Sequence, residues 1–137
     1  MSAHPPAVEL LESVSHFLRD ALLPSLRGAQ AFNLRISINA IDLVRREIAM
    51  QKTADERERT GLASIVGEEA SLETMRRTLC EKIASGVVTL DQPGLLQHLR
   101  ATAIGRLAID QPNYSAYLAA TAEKLADDGK QPESSRS

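Results

Sequence analysis

Residues 31–50 read AFNLRISINAIDLVRREIAM, and their spacing decides the fold class. Leu34, Ile38, Ile41, Val44 and Ile48 recur at steps of three, four and seven, the period of one face of an α-helix. Phe32, Ile36, Leu43 and Met50 fall on nearly the opposite face. A helix apolar on two sides is expected to lie centrally, with neighbours on both. The side left over carries Arg35, Asn39, Asp42 and Arg46 at steps of four, three and four. That polar stripe has two readings. In one it braces the fold, with Asp42 pairing to Arg46 a turn away for a few tenths of a kcal/mol, ~0.3. In the other it meets a ligand or partner, Arg35 suiting a carboxylate or phosphate and Asn39 lining a groove.

The same period extends outward in both directions. Leu10, Leu11, Val14, Phe17, Leu18, Ala21 and Leu22 form an amphipathic helix. Pro5 and Pro6 suit its first turn, Pro24 stops it, and Gly28 lies in the turn that follows. Beyond Met50, Thr53 and Glu56 match a capping box, which predicts a new helix starting at Thr53. Leu62, Ile65 and Val66 give its apolar end, Gly61 weakens it, and Gly67 is its stop. A fourth helix runs from Ser71 with Leu72, Met75, Leu79 and Ile83 on one face and Gly86 as its stop. Val87 to Leu90 reads as an extended connector, because one strand alone has no partner. Asp91 or Pro93 opens a fifth helix with Leu96, Leu99, Ala103 and Leu107 inward. Asp110–Gln111–Pro112 breaks it and caps a sixth, which uses Tyr114, Tyr117, Leu118 and Leu125.

The expectation is an all-α protein: a single-domain bundle of about five to six mostly antiparallel helices over residues 5–126. Residues 127–137, DDGKQPESSRS, are polar and aperiodic and read as a disordered tail. At 137 residues the chain suits one domain and needs no covalent staple. A net charge of −2 argues against a nucleic-acid binder, which would carry a basic excess. Cys80 stands alone, so neither an intrachain disulfide nor a thiolate metal cluster can form. The N-terminal MSAHPPAVELLE has no secretory pattern, and no apolar run approaches a membrane span, so the cytoplasm is the expected compartment.

No stretch forms a self-sufficient catalytic or cofactor site. Phosphate-binding and dinucleotide loops are absent, and no strands exist to carry them. Glu12, His16 and Asp20 recur every four residues and could offer three ligands on one face. The plainer reading is an exposed polar face, and no metal is assigned; His4 and His98 stand apart and complete no site. Cys80 sits beside the buried face of its helix and reads as a small packing residue. No serine has a nucleophile-elbow context. A second polar block runs from Leu99 to Tyr114. Asp110 is a credible cap and Pro112 fits the first turn after it. Tyr114 suits a rim. Arg100 and Arg106 have no capping role and, with Arg76 and Arg77, could make a basic patch. Thr102 lies within the block.

Three of these stretches carry a resemblance: Glu9–Leu10–Leu11–Glu12 with Phe17–Leu18; Phe32–Asn33–Leu34–Arg35 through Asn39–Ala40; and Leu99–Arg100–Ala101–Thr102 with Leu107–Ala108–Ile109–Asp110–Gln111–Pro112–Asn113–Tyr114. Together, over roughly residues 7 to 118, they resemble a family of small bacterial helical proteins catalogued as a domain of unknown function. The resemblance implies a gene beside an aminoglycoside-phosphotransferase-like kinase, often with an acyl-CoA dehydrogenase nearby. It is similar to the small companion of the levulinate-pathway kinase that phosphorylates 4-hydroxyacyl-CoA. Gly105–Arg106 departs from the acid–lysine pair common in that family, and Gln111 from its Asn. Arg106 keeps the charge without the lysine geometry.

The expected function is therefore a non-catalytic accessory subunit of such a kinase, without a cofactor. Its contact surface would draw on Arg35, Asn39, Asp42, Arg46, Arg100, Thr102, Arg106, Asp110 and Tyr114. One alternative is a stand-alone acyl-CoA- or carboxylate-binding protein or enzyme, using Arg35, Arg100 and Arg106. Another is a homodimeric helical scaffold with the stripe as its symmetric interface.

Overall fold

The computed structural model describes residues 6–129. It is helical throughout, with α1 (Ala7–Phe17), α2 (Gly28–Val66), α3 (Leu72–Ala84), α4 (Leu95–Asp110) and α5 (Ser115–Asp128) and no strand among the described residues. No helix is long and apolar enough to cross a membrane. The expected tail overlaps the end of α5 at Asp127 and Asp128, and residues 130–137 lie outside the described range, as do His4 and Pro5.

The largest difference from expectation is at Thr53. No new helix starts there: α2 runs unbroken for 39 residues, a rod of about 58 Å at 1.5 Å per residue. A capping box works only where the chain leaves the helix. Between Met50 and Asp55 nothing forces that exit, since the segment holds neither Gly nor Pro and each residue that stays helical keeps its backbone bond. Gln51 Nε2 instead donates to Asp55 Oδ1 at 2.8 Å across the expected break, one turn along the same helix. Gly67, at φ +83°, ends the rod in the left-handed conformation, its N–H bonded to Ala63 O.

Pro24 shapes the turn before α2. Its ring opposes the carbonyl four residues back and it lacks an N–H. The chain responds by opening to a π turn over Leu18–Leu22, with Leu23 N–H donating to Leu18 O, and then tightening to a 3-10 turn over Leu23–Ser25. Gly28, at φ +62°, becomes the first residue of α2 rather than part of the turn.

α1 folds back along the N-terminal half of α2, and α3 and α4 cover its C-terminal half. Ser71 caps α3, its Oγ accepting from Thr74 N–H. Leu62, Val66, Met75, Leu79, Val88 and Leu95 form the main core. Val88 thus plugs the core from the expected connector, while Val87 and Leu90 face solvent. Two residues of α3 expected to be inward are not, although Met75 and Leu79 of the same face are buried. Ile83 is partly exposed, and Cys80 is exposed rather than packed. On α4 the inward set is Leu95, His98, Thr102, Gly105 and Ile109, while Leu96, Leu99 and Ala103 point out. Asp110 closes α4, so it is not the cap of α5; that position belongs to Tyr114, which has no side-chain cap bond.

The polar stripe splits. Asp42 is buried between α1 and α2, where its Oδ1 accepts from Ser15 Oγ and its Oδ2 from Arg19 Nη2, both at 2.7 Å. Its near neighbour on α2 is Arg45, at 3.7 Å, and not Arg46. Arg46 Nε donates instead to Ile109 O at 2.7 Å, tying α2 to the end of α4. Arg35 and Asn39 are exposed. Burial opposes ionisation of Asp42, yet the bonds from Ser15 and Arg19 and the charges of Arg19 and Arg45 outweigh it and hold its carboxyl below the usual value. Removing this carboxylate strands the buried Ser15 hydroxyl. Asp42→Ala is expected to cost about 2–3 kcal/mol in urea denaturation. Arg35→Ala and Asn39→Ala are each expected to stay within about 0.5 kcal/mol.

Candidate functional site

Gly61 sits in the middle of α2, where glycine costs about 1 kcal/mol relative to alanine. Its reason is His98. A Cβ on Gly61 would meet the His98 ring, lying 3.3 Å from Cγ and closer still to Nδ1. The imidazole edge, Nδ1 foremost, therefore occupies the space a side chain would take, which lets α4 approach the α2 backbone closely there. α4 then runs antiparallel to α2, from His98 beside Gly61 to Ile109 beside Arg46.

Beside this contact α2, α4 and α5 enclose a cleft of about 860 Å³. Arg76 reaches into it from α3, and its Nε and Nη2 each bond one oxygen of Glu58 at 2.6 Å. This fork is the strong form of ion pair. It holds the Glu58 carboxyl below its usual value, against the opposing effect of burial and with help from the charges of Arg76, His98 and Arg106. Burial pushes the His98 imidazole down, and nearby Glu58 only partly offsets that. Four of the residues expected to form a site, Arg100, Thr102, Arg106 and Asp110, line this cleft. Arg35, Asn39, Asp42, Arg46 and Tyr114 do not. The foreseen basic patch is partly assembled: Arg76, Arg100 and Arg106 share the cleft, whereas Arg77 turns away to Glu73. Arg100 is also bound to Glu123 of α5 at 3.3 Å.

Sequence reasoning named Arg76 for a basic patch but missed its partner Glu58 and the Gly61–His98 contact at the centre of this arrangement. A signal did exist. A glycine inside a strong helical pattern marks close approach, and His98 falls three residues after Leu95 and four before Thr102, on what proves to be the buried face of α4. A shallow depression bounded by Glu47, Gln51, Lys52, Asp55 and Arg59 is formed by α2 alone and encloses nothing. Among the described residues no three His, Cys, Asp or Glu side chains gather closely enough for a metal ion, so Glu12, His16 and Asp20 do not form one. The π turn that begins at Leu18 breaks their common helical face.

On the outside of α4 a second feature emerges. Leu96 is 63% exposed and Leu99 42%, and with Ala103 they make an apolar strip at helical spacing. Leu118 and Leu125 on α5 are exposed too. The amphipathic signal on α4 is real, but its apolar strip has no partner among the described residues.

Gly61→Ala is expected to destabilise the chain by about 1–3 kcal/mol through overpacking, despite the better helix propensity. In a His98→Ala background the same change should turn neutral or stabilising, by up to about 1 kcal/mol. A double-mutant cycle by denaturation reads the reversal, and additivity of the two changes would contradict the contact. The pH dependence has a definite sign. His98 has a lower pKa folded than unfolded, so the unfolded chain binds more protons as pH falls through 6.5, and stability drops. Asp42 and Glu58, both depressed, add losses below about pH 4.5, the ordinary glutamate value. Thermal melting should therefore fall between pH 7.5 and 5.5, and His98→Gln should flatten that interval while leaving the acid limb.

Comparison with known proteins gives one match. The profile of a family described as a domain of unknown function (DUF6285) matches residues 24–114. No curated protein and no solved structure matches the chain. The matched residues open at Pro24 and close at Tyr114, so they hold α2, α3 and α4, including the Gly61–His98 contact and the Glu58–Arg76 fork. The Glu9–Leu18 block falls outside them. With about two-thirds of its length matched, the chain belongs to the DUF6285 family.

Proposed function

We propose that the chain is a non-catalytic accessory subunit that binds and supports a phosphotransferase-like kinase of the 4-hydroxyacyl-CoA type, in cytoplasmic acyl-CoA catabolism. The observation that carries the reading is the outward strip of Leu96, Leu99 and Ala103 on α4. Arg100 and Arg106 lie next to it on the same helix. An apolar strip beside two arginines has the composition of a protein contact surface. The kinase as the occupant comes from the resemblance of the Leu99–Tyr114 block, which sits on this helix and the turn after it. Helical packing against a mobile lobe or loop of a kinase raises the fraction of kinase in its competent form without supplying a catalytic group.

Co-expression with a phosphotransferase-like kinase of the 4-hydroxyacyl-CoA type tests the reading. The two chains are expected to co-elute at micromolar concentration, and kinase turnover should depend on the small chain. Leu96→Glu with Leu99→Glu changes exposed positions, so the chain should stay folded while binding weakens at least tenfold. Separate elution, with turnover indifferent to the small chain, contradicts the proposal.

The cleft favours a second reading, a stand-alone acyl-CoA- or carboxylate-binding protein. Arg57, Arg106 and Lys124 line it, and they could hold phosphates or a carboxylate. Calorimetry with CoA thioesters and 4-hydroxy acids tests it, and absence of heat at millimolar ligand rejects it.

A further inference from the structure

The two halves of α2 bury different sides. In the N-terminal half Ala31, Ile38 and Asp42 are buried against α1, and in the C-terminal half Leu62 and Val66 are buried against α3 and α4. Leu62 follows Ile38 by 24 residues, about six and two-thirds turns at 3.6 residues each, so the two lie a third of a turn apart around the axis. Each half of the rod therefore leaves one side uncovered. On the C-terminal half that side is Lys52, Glu56 and Arg59, all exposed and charged, as a solvated face should be. On the N-terminal half the uncovered side is apolar. Phe32 is 61% exposed and Ile36 52%, and Leu43 is half-buried; Met50, on the same line, lies farther along in the stretch that α4 covers.

These four residues precede Gly61 by 29, 25, 18 and 11 positions, each within about 20° of a whole number of turns. They therefore continue along α2 the line on which α4 packs. α4 itself stops at Asp110, with Ile109 bonded to Arg46. Beyond that point the track over residues 28–45 stays apolar while its covering helix is missing.

We infer that this track is a homodimer interface, in which the N-terminal half of α2 packs antiparallel against the same segment of a second copy. The track matches itself. Phe32 and Ile36 on one chain would face Leu43 and Asn39 on the other about a two-fold axis between Ser37 and Ile38, as an isologous contact requires. Asn39 is then the one polar side chain of this line near the axis, and it stands opposite Ile36. In that register Gly28, which opens α2 of the second copy, meets Glu47, next to Arg46 where α4 ends. An acidic side chain suits the positive end of a helix.

The exposed area of the whole chain leaves room for such an interface beside the open strip on α4. The chain exposes 10494 Å², against about 7,000 Å² for a compact monomer of its mass. Even if the residues outside the described range contributed as an unfolded chain, roughly 2,000 Å², an excess of about 1,500 Å² remains. A standard interface takes about 800 Å² from each partner. The inference does not rest on the kinase reading, which uses the outer face of α4.

Sedimentation equilibrium on the full chain tests it. The expected mass at micromolar concentration is twice 14.9 kDa. Ile36→Glu should halve that mass while circular dichroism stays unchanged. In a Cys80→Ser background, a Phe32→Cys chain mixed with a Leu43→Cys chain should oxidise to the mixed disulfide in preference to either symmetric one. A monomer at these concentrations overturns the inference, as does a dimer that Ile36→Glu leaves intact or that links Phe32→Cys to itself. If the chain is monomeric alone and Ile36→Glu abolishes binding to the kinase, the track belongs to the kinase and the second copy is excluded. Loss of kinase binding on Leu96→Glu with Leu99→Glu, with the dimer intact, separates the two surfaces.

Discussion

Everything in this structure hangs on one backbone fact, the continuity of α2 through Met50–Asp55. A 39-residue helix is longer than any helix that could pack against it here. α4, with 16 residues, covers about 24 Å of a rod about 58 Å long. The other helices must therefore divide the rod between them. α1 takes one half on one side, and α3 and α4 take the other half on a different side. Had the chain broken at Thr53, the two segments could have folded side by side and covered each other. Continuity instead places the two cores end to end and leaves faces that no other element of the chain is long enough to reach.

The contacts that hold this arrangement are few and specific. Asp42, bonded to Ser15 and Arg19, fixes α1 to the first half of the rod. The Glu58–Arg76 fork fixes α3 to the second. Lys82 Nζ also donates to Val66 O at the very end of α2. A strictly antiparallel α3 would carry Lys82 back along the rod, so α3 lies across the end of α2. Gly61 under His98, and Arg46 on Ile109, fix α4 at both of its ends. Most of these anchors pair buried or half-buried polar groups, which position elements more sharply than they stabilise them. α5 has no buried residue and touches only α4, so it is the element most free to adjust when a partner binds.

Much of this was legible in the residues. Helical period, the Pro24 stop, the Gly67 and Gly86 stops and the Ser71 start are local properties, and local chemistry decides them. The continuous α2 was not legible, because Thr53 and Glu56 satisfy a capping rule that says where a helix can begin and not whether one must. The orientation of α4 failed for a related reason. Its apolar residues are spread around the helix, with Leu96, Leu99 and Ala103 on one side and Leu95 and Ile109 on another. Composition alone cannot rank those sides. The deciding residues were Gly61 and His98, neither of them apolar in the ordinary sense, and only their contact turns α4 inward along Leu95, His98 and Thr102. The polar stripe on α2 likewise hid two roles: Asp42 and Arg46 brace the fold, while Arg35 borders the open apolar track and Asn39 sits in it. Of the residues named in advance, Arg100, Thr102, Arg106 and Asp110 were brought together by α4, because they share one short helix.

The continuity of α2 can be measured directly. Spin labels at Asn33 and Ser64, both exposed positions on α2, in a Cys80→Ser chain diluted with unlabelled protein, report the length of the rod by pulsed electron resonance. Thirty-one residues of unbroken helix place the two backbone sites about 46 Å apart. A narrow distribution near that distance is the predicted result. A distribution centred near 25 Å or below would mean that the chain turns back near Thr53, and the exposed faces described above would then be covered from within.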